Sequence, residues 1–240
     1  MAPGNPESAS SAGRRRSAAL FLRARISGRQ PLNMSVEKPD DRATWIRHSF
    51  TLALLAAAFH FLQCIASAAL WNSTRSAALA AFGLDAAVSS SAALRLALGI
   101  RRSFEMLADN WRSRVVGYAY LAAAAMALYA GAVQLWEGRR PAPTILGIAL
   151  AAVSMLVIPI IGSYMKTLAV ELRNQPLKAA AVFTFGNSYL SMVLLIALLT
   201  NAGMDLGWGD PVGALVMFPF MAQKGIQILI EEGRRDYVED

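Results

Sequence analysis

Apolar residues along this chain neither alternate nor recur only every third or fourth position. They fill whole windows of about twenty residues, the length an α-helix needs to cross a hydrocarbon core. Six windows stand out, at roughly 48–70, 77–98, 115–136, 143–165, 178–200 and 209–230, and most of the Arg and Lys lie outside them. A spanning segment must satisfy its own backbone hydrogen bonds, so each window reads as a helix. The pattern predicts an all-α integral membrane protein. It is a six-helix bundle over residues 45–231, with a basic tail at 1–44 and a short tail at 232–240.

Composition agrees with that reading. The chain has 240 residues, of which 55% are hydrophobic and 16% charged, whereas soluble domains carry about 25% charged residues. The net charge of +7 acquires a meaning from its placement. Lys38, Arg42 and Arg47 precede the first window, and Arg101, Arg102, Arg112 and Arg114 separate the second from the third. Lys166, Arg173 and Lys178 flank the fourth and fifth, and Arg234 and Arg235 follow the sixth. The opposite side holds Arg75, Arg139 and Arg140. Basic residues are retained on the cytoplasmic side, so both termini are expected there, with a plasma or inner membrane favoured. Topology thus accounts for the basic excess without nucleic acid. The expected partner is the lipid bilayer, and a homodimer is left open. The Ser-, Ala- and Arg-rich residues 1–33 read as a basic tail, or as a start upstream of a true one at Met34, in preference to a transit peptide.

Polar residues inside the windows are the candidates for chemistry, because hydrocarbon penalises them. Asp85 stands among alanines and leucines, four residues before Ser89 and so on the same helix face. A bare carboxylate there needs a partner, whether a metal ion, a proton or a hydrogen-bond network. His60 and Cys64 are also four apart, a spacing that two metal ligands could use. With only two such ligands, helix–helix hydrogen bonding is the favoured reading of His60, Gln63 and Cys64. Thr184, Ser188 and Ser191 form a hydroxyl stripe beside Asn187 and are expected to join helices. Asp210, just before Pro211, reads as an interfacial helix N-cap. Lys224 is expected to reach for the cytoplasmic surface, and Tyr118, Tyr120, Tyr129 and Trp136 to sit at the interfaces. The single Cys64 excludes an intramolecular disulfide. The sequence has no G-x-S-x-G, no H-E-x-x-H and no Gly-rich phosphate loop with Lys, so no enzyme is expected.

Three stretches in order resemble the cation diffusion facilitator (cation efflux) family: "SAALAAFGLDAAVSSSAALRL", "GRRPAPTILGIALAAVSMLVIPIIG" and "WGDPVGALVMFPFMAQKGIQIL". The resemblance covers about 45–231 and is closest to short members without a cytoplasmic C-terminal domain. It implies a carrier of Zn²⁺ or a similar divalent ion, exchanged for protons, with the ion as cargo and no permanently bound cofactor. It also implies a mid-depth site made of two ligand pairs, on the second and fifth spans. Carried over by position, Asp85 matches the first ligand and Ser89 the second, while Pro176 and Ala180 fall where the fifth-span pair is expected. Three of the four implied ligands are thus absent, and His60, Cys64 and Asn187 are the substitutes on offer. Two functions follow: a divalent-cation transporter with a degenerate site, or a non-transporting scaffold or regulatory subunit that keeps the fold.

Overall fold

A computed structural model of the chain describes the backbone of residues 39–102, 110–204 and 207–239, and the side chains of 42–102, 114–204 and 207–231. Six helices account for nearly all of it: α1 (Pro39–Thr74), α2 (Ala77–Arg102), α3 (Asn110–Trp136), α4 (Ile145–Glu171), α5 (Gln175–Met204) and α6 (Gly209–Glu239). There is no strand among the described residues. Each apolar window lies inside one helix, and the helices run past the windows into the polar flanks. Intrahelical hydrogen bonding continues where the hydrocarbon pattern stops. The tail read over residues 1–33 lies outside the described residues.

The turns are short and chemically specified. Arg75 joins α1 to α2 in the left-handed region, φ 58°, and Arg173 does the same between α4 and α5, φ 49°. Thr144 caps α4 by accepting from Gly147 N–H at 3.1 Å, and Asn174 caps α5 by accepting from Leu177 N–H at 2.8 Å. Such caps satisfy amides that the first turn of a helix leaves free.

All six helices are long and apolar enough to span a bilayer, with between 33% and 50% of each apolar window buried inside the bundle. The rest of each window faces outward. Phe61, Leu62, Leu156, Ile160, Val182 and Ile196 are among the large apolar side chains left exposed, more than a soluble surface tolerates as a continuous patch. The chain is a multi-pass integral membrane protein.

Inside, residues 43–240 form one compact unit with two main apolar layers. One layer gathers Phe82 of α2, Ala127 of α3, Ala151 of α4, Leu194 of α5 and Met217 of α6. The other gathers Ala56 of α1, Ile161 and Met165 of α4, and Leu177 and Ala181 of α5, beside a small cluster of Ala53, Ala97 and Ile100. Along α2 the first layer precedes the second; along α5 the order is reversed. That reversal is the signature of helices crossing up and down.

Small residues set the closest helix contact. A Cβ added at Gly225 of α6 would lie 2.8 Å from the Gly117 carbonyl oxygen of α3, and one at Gly131 would lie 2.9 Å from the Pro211 carbonyl oxygen. The α3 and α6 backbones touch at both ends of their contact, which only glycine permits.

Candidate functional site

Between the two apolar layers lies a connected set of polar side chains with a contribution from every helix. Asp85, in the third turn of α2, is 2% exposed, and its partner is Lys224 of α6, itself 5% exposed. The Lys224 ammonium donates to Asp85 Oδ1 at 2.8 Å and to Asn187 Oδ1 of α5. It also lies 5.4 Å from the ring centroid of Tyr120 on α3, within the range of a cation–π contact. The lysine stem runs past Gly186, where an added methyl would meet Lys224 Cε at 3.4 Å.

Asn187 is the hub. Its Nδ2 donates to Ser89 Oγ at 3.0 Å and meets His60 Nε2 of α1 at 3.3 Å. Ser89 lies 2.9 Å from Tyr120 Oη and 3.4 Å from Asp85 Oδ2. Beyond His60, Nδ1 is 2.7 Å from Gln63 Oε1, Gln63 Nε2 donates to Ser154 Oγ of α4 at 2.7 Å, and Ser154 donates to the Leu150 carbonyl at 2.6 Å. With Gln63 Nε2 committed to Ser154, its oxygen faces His60, so Nδ1–H is the donor and Nε2 accepts from Asn187. The proton arithmetic closes through the whole network. Ser89 accepts from Asn187 and Tyr120 and donates to Asp85, while the three ammonium protons face Asp85, Asn187 and the Tyr120 ring.

Several residues lie elsewhere than the sequence suggests. Lys224 does not reach for a surface. It sits near the middle of α6, where Asp85 and Asn187 satisfy it. Tyr120 is buried, unlike Tyr118, Tyr129 and Trp136, which are exposed. Cys64 is half-buried with its thiol free, whereas His60 and Gln63 make the helix–helix hydrogen bonds expected of them, to Asn187 and Ser154. Thr184 and Ser191 bond back to the Ala180 and Asn187 carbonyls of their own helix, at 2.8 and 3.0 Å. The helix-joining role in α5 therefore falls to Asn187, with only a 3.8 Å contact from Thr184 to Met165 Sδ across to α4. Ala180 packs beside the second apolar layer. It lies seven residues from Asn187, or about 10 Å along the axis, and Pro176 lies about 16 Å away. The α5 position that faces Asp85 and Ser89 is Asn187.

Asp210 is buried as well, and it caps a different helix from the one expected. α6 begins at Gly209 with Val212 N–H bonded to the Trp208 carbonyl, so Asp210 already lies in the first turn. Its carboxylate accepts from Ser76 Oγ and, at 3.4 Å, from Ala78 N–H. Ser76 Oγ accepts from Leu79 N–H at 3.0 Å, and Gln134 Oε1 accepts from Ala77 N–H at 2.8 Å. The free amides and positive end of α2 draw the carboxylate there. This cluster is structural and separate from the mid-depth network.

Among the described residues no three His, Cys, Asp or Glu come together as a metal cluster. The mid-depth network offers one carboxylate, one imidazole, an amide and hydroxyls, with a lysine already among them.

The fold and the site define a class: a multi-pass helical membrane protein with a charged pair enclosed at the middle of its bundle. The family model for the cation efflux transmembrane domain matches residues 113–235, just over half the chain. The protein belongs to the cation efflux family. No curated protein matches it. The matched region holds Tyr120, Ser154, Asn187 and Lys224, while Asp85, Ser89 and His60 come from the two helices before it.

Proposed function

We propose that this protein is a carrier of divalent cations of the zinc type, exchanging them for protons, and not an enzyme. Its site would be Asp85, Ser89 and Asn187, with His60 behind them and no resident cofactor. One observation carries the reading: in a member of the cation efflux family, all six helices converge on one buried polar network at mid-depth. Buried polar groups of that kind in hydrocarbon mark a transport pathway more often than a packing need. Orientation follows the charge distribution, with both termini cytoplasmic and the outer loops poor in Lys and Arg.

The ion pair supports a second reading. Asp85 supplies the one carboxylate of the network and Lys224 already neutralises it, while a divalent ion needs several oxygen or nitrogen ligands with compensating charge. A chain that keeps the fold as a scaffold or regulatory subunit would look the same. Zinc flux into proteoliposomes, measured on the intact protein and on Asp85→Asn checked for monodispersity, separates the two. Flux that depends on Asp85 supports the carrier, and its absence from the intact protein leaves the scaffold.

A further inference from the structure

We propose that Lys224 is a cation built into the chain, holding the place that a divalent ion would take, so that metal and ammonium compete for Asp85. The inference rests on Asp85 as a cargo ligand, which is the site named above, and it adds how that site is closed.

The geometry is specific. The ammonium contacts two oxygens from two helices, Asp85 Oδ1 on α2 and Asn187 Oδ1 on α5, which are the anionic and the neutral oxygen an incoming ion would use first. Its remaining face is covered by the Tyr120 ring. Asn187 and Ser89 are in turn oriented by His60 and Tyr120, so the oxygens are held in place whichever cation occupies them. Lys224 approaches from α6 along Gly186, where no side chain blocks the stem.

Electrostatics make the occupancy exclusive. The single charge of Asp85 balances one ammonium. A divalent ion entering beside Lys224 would leave two uncompensated positive charges in a low-dielectric space, which repel strongly at contact distance. Metal can therefore bind only as the lysine side chain swings away from Asp85. The intact protein should bind divalent ions weakly, and removing the lysine charge should expose a better site.

The test is zinc binding to purified protein by calorimetry, with zinc-dependent thermal stabilisation as a second readout. Lys224→Met and Lys224→Gln are compared with the intact chain and with the Asp85→Asn/Lys224→Met double variant. Either single variant should bind zinc at least about tenfold more tightly than the intact protein, and should melt higher in zinc by the corresponding linkage. The gain should vanish in the double variant. A single variant that folds only in zinc also supports competition. Zinc affinity unchanged by the loss of Lys224, a gain that survives Asp85→Asn, or single variants that stay unfolded in zinc would each overturn it. Failure of the carrier reading is distinguishable. Absent flux in the intact protein with a lysine-free gain in binding sinks the carrier and keeps the competition. Asp85-dependent flux with no such gain does the reverse.

Discussion

Asp85 and Lys224 are each other's charged partner among the described residues, and a buried charge left without its counter-charge is among the costliest defects in a protein. Asp85→Ala or Lys224→Leu alone should lower stability by about 3–5 kcal/mol, whereas the double variant, with both charges replaced by apolar groups, should come close to the unaltered chain. Thermal melting in detergent, in zinc-free buffer, reads that cycle. Asn187 offers a different test. Asn187→Leu removes one hydrogen-bond partner each from His60, Ser89 and Lys224 and should cost about 2–3 kcal/mol. Asn187→Asp keeps the shape and adds a second carboxylate against one lysine. Zinc affinity by calorimetry should then rise about tenfold. A fall in zinc affinity would remove Asn187 from the cargo site.

At the scale of the elements, the α3–α6 contact depends on glycine. Gly225→Ala would place a methyl 2.8 Å from a backbone oxygen of α3, and a backbone cannot rotate away as a flexible side chain does. The cost should be about 1–3 kcal/mol, seen as a lower melting temperature, while Gly203→Ala, with nothing within 4 Å of its added methyl, should be neutral. The N-terminus of α2 depends on its cap. Asp210→Leu leaves the Ser76 hydroxyl and α2 amides short of an acceptor and should cost about 1–3 kcal/mol. Asp210→Asn should be milder, because the amide oxygen still accepts.

For the whole molecule, six crossings place the two termini on the same side, and the basic loops predict that this side is cytoplasmic. In a background of Cys64→Ala, a cysteine introduced at Arg102 or Arg173 should react with a membrane-impermeant thiol reagent only in inside-out vesicles. One introduced at Arg139 should react only in right-side-out vesicles. The opposite pattern would overturn the orientation.

The number of helices and the apolar core of each follow from the sequence alone, whereas the helix ends do not: α1 begins nine residues before its window and α6 runs nine residues beyond its own. A twenty-residue apolar window is a local property, and the bilayer sets its length without reference to any other segment. Even the resemblance to the cation efflux family could be read from stretches along the chain. Pairings between helices could not. Asp85 finds Lys224 across 139 positions, Asn187 finds His60 across 127 and Asp210 finds Ser76 across 134, and periodicity within a window says nothing about such meetings. Lys224 shows the reason most clearly. From its own helix a lysine near one end of an apolar window has every incentive to reach for water, and only the packing of α2, α3 and α5 around it supplies a carboxylate, an aromatic face and an amide oxygen nearer than the surface. The carboxylate that stands alone in the sequence is, in the folded bundle, already paired.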